Sequence, residues 1–435
     1  MKLELDIDDL APGGEAVGRG PAGRPIYVPF AAPGDRVQVE VPAGEGPGHA
    51  ELLRVLRPGA ARAAPPCRHF GPAAEGEAAE CGGCEWLHVD YARQLDAKAR
   101  SFAETLRRIG RLEPGSFPLL PIVPSPRPLR YRCRAKLHFD RASGRLAFFR
   151  RRSHAPVPLA ECHLLAPGLD ALREALGPAL GQARLAPREV MLEWSDAEGR
   201  GAAALLLPEA TPAVARRAEG LLRAVPGLAG LVLLQEGRPP ALLGEPVLRH
   251  ARDPRDPAAG LQRSRPDVFQ QANRGANALL VEAALALLRP AGARVLELYC
   301  GAGNFTAPLA RAAASVTAVE GLGPSLELAR RDLAQAKVRF VAGDALAVAG
   351  GLARDPGGPR FEAALLDPPR DGARGVGPLL ARLEVARAVY VSCDPATFAR
   401  DLRGCVEAGY RVASAQPFDL FPQTHHVEGL ALLER

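Results

Sequence analysis

Apolar and polar side chains alternate over the first 60 residues of the chain. Leu3, Leu5 and Ile7 alternate with polar residues, and residues 35–41 repeat the pattern. A period of two is typical of strands that bury one face. Four or five such strands in so short a stretch predict a small β-barrel over residues 1–60, followed by a Pro-, Ala- and Gly-rich linker that ends near residue 66.

The pattern becomes regular from about residue 275, where strand-like runs alternate with helix-like ones. A helix is predicted over residues 277–288, and Pro290 ends it. Such alternation predicts a mainly parallel sheet with helices on both faces, which binds its ligand beyond the carboxyl ends of the strands. The predicted fold is a Rossmann-like, seven-stranded domain over residues 266–435. Its strands are predicted at residues 294–299, 315–320, 338–341, 361–367, 388–393, 410–416 and 426–434.

The stretch between these two regions is mixed. Residues 91–109 have a helical pattern, residues 130–165 have strand patterns, and residues 168–265 combine both types with many Pro and Gly breaks. These patterns predict a central α+β domain over residues 61–265. Since 435 residues exceed what one hydrophobic core usually serves, we expect a multidomain α/β protein in three parts.

Composition bears more on location than on function. The net charge of +6 favours a polyanionic partner only weakly, because a biased genome also produces a chain this rich in Arg, Ala, Pro and Gly. No apolar run approaches the roughly 20 residues of a membrane helix, and the start lacks the layout of a signal peptide. We therefore expect a cytosolic protein. Its eight unevenly spaced cysteines are too few for a disulfide scaffold and indicate metal binding or catalysis.

A Gly-rich turn follows the first predicted strand of the C-terminal domain. Residues 295–305 read as a strand, a Gly-x-Gly turn and the start of a helix, with Asn304 after the second glycine. Glu320 ends the next strand, where an acidic side chain can bind ribose hydroxyls. Because the turn lacks the third glycine of a dinucleotide fingerprint, it favours a ligand without a pyrophosphate, such as S-adenosylmethionine. A tight structural turn is the alternative.

Three more predicted strand ends carry reactive side chains. Asp367 begins an Asp-Pro-Pro-Arg sequence, Cys393 precedes Asp-Pro, and Glu428 lies near the start of the last strand. A cysteine at the start of a helix is expected to have a lowered pKa. The alternatives are a plain turn, a packed core cysteine and a solvated edge glutamate. A similar Asp-Pro-Pro motif occurs in methyltransferases that act on amino groups, although an aromatic residue follows there and Arg370 follows here.

Together these residues match the methylation of carbon 5 of uracil. That carbon is a poor nucleophile, but addition of a thiolate to carbon 6 generates an enolate that can attack a methyl group. A base must then remove the carbon 5 proton so that the thiolate can leave. Cys393 as nucleophile, Glu428 as base and the pocket over residues 295–320 satisfy these requirements. The main rival is an amino-group methyltransferase built on Asp367, which needs no cysteine.

The motifs resemble those of the RNA 5-methyluridine methyltransferase family, over nearly the whole chain. E-L-Y-C-G-A-G-N-F-T, D-P-P-R-D-G, Y-V-S-C-D-P-A-T and F-P-Q-T-H-H-V-E occur in the family's order and spacing. The resemblance implies that Cys393 attacks the ring and Glu428 takes the proton. Asp394 replaces the usual Asn of the family, which is expected to affect the local charge and the thiol pKa. The implied S-adenosylmethionine contacts are Gln271 (from F-Q-Q-A-N, one residue ambiguous), Tyr299, Asn304, Glu320, Asp344 and Asp367.

Two further features carry the resemblance towards the N-terminus. The first strands are similar to the TRAM domain, an RNA-binding barrel, with a protein-binding barrel as the alternative. Four cysteines match a set that holds a [4Fe–4S] cluster in some members, although four thiolates also suit zinc. The longer spacing after the first of them is expected to loop out at small cost, over residues 69–80. The four are Cys67, Cys81, Cys84 and Cys162.

Basic residues crowd into residues 127–152 with aromatic residues between them. Arg–phosphate contacts and base stacking on aromatic rings hold single-stranded RNA, so this stretch predicts an RNA surface, with a solvated Arg-rich face as the alternative. Arg132 matches a family contact to the substrate. Barrel and cluster together resemble the ribosomal-RNA branch, which favours 23S ribosomal RNA over transfer RNA, and we expect a monomer. A non-catalytic iron–sulfur RNA-binding protein, the second rival, would not bind the methyl donor.

Overall fold

The computed structural model describes residues 1–42, 48–72, 80–113, 115–355 and 357–435. Within these ranges the chain forms three larger β-sheets, one two-stranded ribbon and nine α-helices. Residues 73–79 of the insert that was expected to loop out lie outside the described ranges. No described helix is long and apolar enough to cross a membrane.

Six short strands form the N-terminal sheet: β1 (Lys2–Leu10), β2 (Ala16–Arg19), β3 (Pro25–Val28), β4 (Arg36–Glu40), β5 (Gly48–His49) and β6 (Glu51–Arg57). Their order is β5-β3-β2-β1-β4-β6, and among the described residues β5 and β6 are the edges. Leu5, Ile7 and Val37 are buried on one face, as the alternating pattern predicted. At the exit of this sheet the buried carboxylate of Asp35 lies 2.6 Å from the Arg62 guanidinium.

The central region begins with one helix and continues into a second sheet. Its elements are α1 (Tyr91–Arg108), β7 (Arg134–Asp140), β8 (Arg145–Phe149), β9 (Pro156–Pro158), α2 (Pro167–Gln182), β10 (Glu189–Ser195), β11 (Arg200–Leu206), α3 (Pro212–Ala224), β12 (Leu228–Leu234), β13 (Ala241–Gly244), β14 (Leu248–Ala251) and β15 (Leu261–Ser264). Seven strands lie in the order β13-β12-β11-β10-β7-β8-β9, with α2 and α3 packed on them, and β14 pairs with β15 as a separate ribbon.

The C-terminal region alternates strands and helices close to the predicted ranges. Its elements are α4 (Arg274–Leu288), β16 (Arg294–Leu298), α5 (Thr306–Ala312), β17 (Ser315–Glu320), α6 (Gly323–Asp332), β18 (Val338–Ala342), α7 (Ala345–Arg354), β19 (Ala363–Leu366), α8 (Val376–Arg382), β20 (Arg387–Ser392), α9 (Pro395–Glu407), β21 (Arg411–Phe418) and β22 (Glu428–Glu434). The sheet order is β18-β17-β16-β19-β20-β22-β21, with β22 antiparallel to both its neighbours. Apolar clusters cover both faces of this sheet.

Helix α1 packs on the C-terminal sheet rather than on the central one. Phe102 and Leu106 of α1 are buried in the same cluster as Phe398 of α9, and the rings of Phe102 and Phe398 lie 5.7 Å apart. This helix falls within residues 61–265, which were predicted to form one central domain. The chain therefore crosses to the C-terminal sheet with α1 before it returns to build the central sheet.

Candidate active site

Three residues of the candidate active site meet at the carboxyl end of the parallel strands in the C-terminal sheet. In the parallel strands, Leu298 pairs with Leu366 and Leu366 pairs with Tyr390, so β16, β19 and β20 end side by side. Asp367 and Cys393 directly follow the last two of these strands. Strand β22 runs the other way, and Ser392 pairs with Gly429, so Glu428 enters the sheet beside Cys393. The topology brings together residues that are distant in the sequence.

The Cys393 thiol is half-buried at this edge. Burial, and then the neighbouring carboxyl groups of Glu428 and Asp367, raise its pKa to about 11, although the Arg370 guanidinium lowers it. The position of Cys393 before a helix predicted a lowered thiol pKa, and that prediction is wrong for the free protein. Burial and two acidic neighbours outweigh the partial charge at the start of α9.

Glu428 is 1% exposed, and neither oxygen of its carboxyl group forms a hydrogen bond with any residue that the structure describes. Burial, and then the nearby Asp367, raise its pKa well above the usual range. Burial likewise raises the pKa of Asp367 to about 7. An uncompensated buried carboxylate is costly, so folding favours the protonated form of Glu428.

Residue Asp394, which departs from the family pattern, has a local structural role. It is the N-cap of α9, and its Oδ1 accepts hydrogen bonds from the backbone N–H groups of Ala396 at 3.0 Å and Thr397 at 2.8 Å. Asp and Asn are equally good N-caps because both offer this oxygen. The substitution therefore preserves the start of the helix that follows the nucleophile.

The Gly-rich turn after β16 lies at the same edge of the sheet. Its backbone is left-handed at Tyr299 (φ 64°), Gly301 (φ 55°) and Gly303 (φ 87°), which glycine adopts without steric cost. The carboxylate of Glu320 accepts hydrogen bonds of 2.8 Å from the backbone N–H groups of Gly301 and Leu322. These bonds fix the acidic group beside the turn, where a ribose is expected.

Other predicted methyl-donor residues border this turn. Asn304 exchanges two hydrogen bonds, of 2.9 and 3.0 Å, with the side chain of Asn277 on α4. Asp344 is exposed and caps α7 through a 2.8 Å hydrogen bond from the backbone N–H of Ala347. The sequence analysis missed Asn277, because an Asn on a predicted helix carries no signal of its partner.

Glu297 is a second residue that the sequence analysis missed. It is the last residue but one of β16, is 1% exposed, and neither oxygen of its carboxyl group forms a hydrogen bond among the described residues. Burial raises its pKa to about 8. An acidic residue inside an otherwise apolar strand, as in Val-Leu-Glu-Leu, was the available signal. A neutral carboxyl group therefore underlies the Gly-rich turn.

The structure separates the two glutamines of the ambiguous F-Q-Q-A-N segment. Gln270 is buried, donates to the Arg263 carbonyl at 2.7 Å and accepts from Arg274 at 2.9 Å. The half-buried side chain of Gln271 forms no hydrogen bond to a described residue. Gln270 thus has a structural role, whereas the Gln271 amide has no hydrogen-bond partner among the described residues.

The four predicted metal-binding cysteines line one cavity of about 250 Å³, together with Arg132. Burial raises the pKa of all four thiols, and the charge of a neighbouring cysteine raises it further for three of them. Gly82 lies so close to the Phe149 carbonyl that a Cβ would approach it to 2.9 Å, which explains a glycine in this turn. Within the described ranges, no three His, Cys, Asp or Glu side chains are gathered tightly enough to hold a single metal ion.

Five of the ten Lys and Arg residues in the predicted RNA surface form ion pairs with acidic residues. The guanidinium groups of Arg151 and Arg152 lie 2.6 and 3.1 Å from Glu15 of the N-terminal sheet. Arg132 is half-buried rather than exposed, with its guanidinium carbon 5.9 Å from the centre of the Tyr131 ring. Part of the basic stretch therefore joins the N-terminal sheet to the central region.

The C-terminal region has a mainly parallel sheet covered on both faces, a Gly-rich turn, an acidic residue after the next strand and a thiol beside a buried carboxyl group. This combination defines the class of S-adenosylmethionine-dependent methyltransferases. Comparisons with known proteins identify the family within this class. The pattern of the family described as tRNA (Uracil-5-)-methyltransferase matches residues 260–346 and 358–435, and that of the TRAM domain matches residues 2–45. The chain belongs to this family of RNA uracil-C5 methyltransferases.

Relatives of known name cover the whole chain. The 23S rRNA (uracil(1939)-C(5))-methyltransferase RlmD of Halomonas elongata is 35% identical, over 100% of this chain and 89% of the relative. The RlmD protein of Alkalilimnicola ehrlichii is 36% identical, over 100% and 96%. The solved tRNA (uracil-54, C5)-methyltransferase of Pyrococcus abyssi, in complex with S-adenosyl-L-homocysteine, has the same fold, with a TM-score of 0.75 and 22% identity over 99% of each chain.

Proposed function

We propose that the chain methylates carbon 5 of a uridine in 23S ribosomal RNA, with Cys393 as nucleophile and Glu428 as base. The observation that carries this proposal is the meeting of a half-buried thiol and a buried carboxyl without a hydrogen-bond partner, beside the Gly-rich turn. Transfer to an amino group needs no thiol, so that rival leaves the placement of Cys393 without a purpose.

In the proposed reaction, bound S-adenosylmethionine supplies the methyl group. The Cys393 thiolate adds to carbon 6 of the uracil. Carbon 5 then bonds to the methyl group while the bond between that group and the donor sulfur breaks, which leaves S-adenosylhomocysteine. Glu428 takes the proton from carbon 5, the double bond re-forms, and the Cys393 thiolate leaves. The raised pKa of Glu428 makes its carboxylate a strong base once it is ionised. The positive charge of Arg370 lowers the pKa of Cys393 and so favours its thiolate form.

The methyl-donor site in this proposal surrounds the Gly-rich turn. Glu320 is held by backbone N–H groups in a position to bind ribose hydroxyls. Gln271 offers a side-chain amide that no described residue occupies, and Asp367 lies at the strand end between the turn and the thiol. Tyr299, Asn304 and Asp344 complete the proposed set.

The choice of RNA rests on the relatives. Two of them are named for uracil 1939 of 23S ribosomal RNA and align with the whole chain, so we propose the equivalent uridine as the target. The test maps 5-methyluridine in total RNA from a strain that lacks the protein. Loss of the modification from 23S ribosomal RNA, restored by the wild-type gene but not by Cys393→Ala, is the expected result. Loss from transfer RNA alone would contradict the substrate, and restoration by Cys393→Ala would favour the amino-group rival.

We further propose that the four cysteines hold a [4Fe–4S] cluster rather than zinc. The support is a cavity lined by all four thiols, together with the resemblance to family members whose four cysteines hold such a cluster. Protein purified without oxygen should contain about four iron atoms and about four acid-labile sulfides per chain. One zinc and no sulfide would contradict this assignment.

Four further expectations stay predictions: Arg132 as an RNA contact, the three-part division of the chain, the cytosolic location and the monomeric state.

A further inference from the structure

The proposed base depends on a return loop, residues 419–427, that connects β21 to β22. Glu428 begins β22 directly after this loop, so the path of the loop decides where the carboxyl group enters the site. No regular helix or strand spans the loop. Its conformation must therefore come from contacts with other parts of the molecule.

Gln423, in the middle of the return loop, has a left-handed backbone (φ 69°) that is unfavourable for a residue with a side chain. Its backbone N–H donates to the Gln94 side chain at 3.0 Å, and its side-chain oxygen accepts from Gln94 at 2.9 Å. Its carbonyl accepts from the backbone N–H groups of Glu85 and Trp86, at 2.9 and 3.1 Å. Gln94 of α1 and the two residues that follow Cys84 thus hold this strained residue in place.

Asp419, at the start of the return loop, is fully buried and fully partnered. The Lys98 ammonium, also fully buried, donates to its Oδ1 at 2.6 Å and to the Phe421 carbonyl at 3.0 Å. The Tyr91 hydroxyl donates to its Oδ2 at 2.8 Å. One face of α1 therefore contributes three polar residues to the loop: Tyr91, Gln94 and Lys98.

The same network reaches the segment that carries Gln271. The Tyr91 hydroxyl accepts from the backbone N–H of Ser125 at 2.9 Å, and the Ser125 hydroxyl accepts from the Asn273 amide at 3.0 Å. Asn273 also donates to the Leu420 carbonyl at 3.1 Å and caps α4. The loop that leads to the base and the segment of the methyl-donor site are therefore tied to one anchor.

We propose that Tyr91, Gln94 and Lys98 are positioning residues that hold the return loop so that Glu428 faces carbon 5 of the bound uridine. This inference rests on the proposed function. It predicts the largest defect at the step that uses Glu428, because addition of the thiolate and transfer of the methyl group precede removal of the proton. When that proton is removed slowly, the bond between Cys393 and the RNA persists.

The test compares two variants of the full chain, Tyr91→Phe and Gln94→Leu, with Tyr410→Phe. Tyr410 is a buried tyrosine whose hydroxyl donates to the Val385 carbonyl at 2.6 Å, away from the return loop, and it serves as the matched control. Each variant is assayed for turnover, for the covalent complex left on ordinary uridine RNA, and for the rate of trapping by 5-fluorouridine RNA. Trapping needs the thiol and the methyl donor but not the base, because fluorine replaces the proton.

Turnover should fall about tenfold to a hundredfold in Tyr91→Phe and Gln94→Leu, with a covalent complex persisting on ordinary RNA and a smaller change in trapping. Tyr410→Phe should match the wild type in all three assays. Equal losses of turnover and trapping, or turnover unchanged from the control, would overturn the inference. Because Tyr91→Phe keeps the ring, it tests the inference even where Gln94→Leu does not fold. Absence of trapping in the wild type would instead sink the proposed function.

Discussion

The two ends of the return loop carry carboxyl groups that are equally buried but differently surrounded. Asp419 accepts hydrogen bonds from Lys98, from Tyr91 and from the backbone N–H of Phe421. Glu428 accepts none from any described residue, and the charge that raises its pKa belongs to another acid, Asp367. Both groups lie against the same sheet, so burial alone does not decide the state of a carboxyl group.

The difference shows how the chain separates a carboxyl group that stabilises structure from a carboxyl group that takes part in the reaction. A buried carboxylate that is paired and hydrogen-bonded stays ionised and fixes structure, whereas one without partners becomes neutral and reduces stability at neutral pH. A carboxyl group with a strongly perturbed pKa at a ligand site is a candidate for proton transfer. Asp419 anchors the loop, and Glu428 is left without partners so that it can react.

The largest expected effect is on the group without partners. Glu428→Gln should lower kcat by about a hundredfold to ten-thousandfold, because a positioned general base contributes that much. The assay is methyl transfer to a ribosomal RNA fragment. Glu434→Gln is the control, since Glu434 lies at the far end of the same strand and pairs with Arg387. Equal activity of the two variants would remove Glu428 from the mechanism.

At Asp419, the carboxylate with partners, the expected effect is on the free energy of unfolding. Lys98→Met leaves Asp419 buried without its cation, which should cost about 3–5 kcal/mol of unfolding free energy. Urea unfolding measures this loss. The double variant Lys98→Met/Asp419→Asn should recover much of it, since no charge is then left unpaired. A loss below about 1 kcal/mol in the single variant, as for a surface ion pair, would contradict the comparison.

The pH dependence of the unfolding free energy should differ between the wild type and the Glu428→Gln variant. The folded-state pKa of Glu428 is raised above its ordinary value of 4.5, so folding favours the protonated form. The stability penalty is absent below pH 4.5 and grows as pH rises towards the folded-state pKa. Glu428→Gln should match the wild type near pH 4.5 and gain up to about 1.4 kcal/mol per pH unit above it. Parallel stability curves, measured by urea unfolding between pH 5 and 8, would show that Glu428 has a partner.

The smallest expected effect concerns the residue after the nucleophile. Asp394→Ala removes the N-cap of α9 and should cost about 0.5–2 kcal/mol in unfolding free energy. Asp394→Asn should keep both the stability and the turnover, because the amide oxygen serves as the same cap. Thermal unfolding and methyl-transfer assays of both variants check this. A large loss of turnover in Asp394→Asn alone would give the carboxylate a catalytic part.

Local sequence patterns were sufficient for the strands and the strand-end residues. Hydrophobic periodicity located the C-terminal strands, and in a parallel sheet the carboxyl ends meet at one edge, so Asp367 and Cys393 could be placed together. The family resemblance added Gln271, Tyr299, Asp344 and Asp367 to the expected methyl-donor contacts. These predictions depend on short segments and a simple topology rule.

Contacts across long sequence separations could not be predicted in this way. Lys98 reads as a surface residue of a helix, yet it is fully buried because Asp419 reaches it from a distant part of the chain. The direction of the Cys393 pKa shift was predicted wrongly because the shift depends first on burial and then on acidic groups from other strands. Helix α1 was assigned to the central region because periodicity shows that a helix has a buried face but not which sheet covers it.

The most direct test of the account is the covalent bond between Cys393 and the target uridine. Ribosomal RNA fragments that carry 5-fluorouridine are incubated with the protein and S-adenosylmethionine, denatured, digested and analysed by mass spectrometry. The account predicts a methylated fluorouridine adduct that survives denaturation and maps to Cys393. Methyl transfer without any such adduct, or an adduct on another residue, would contradict it.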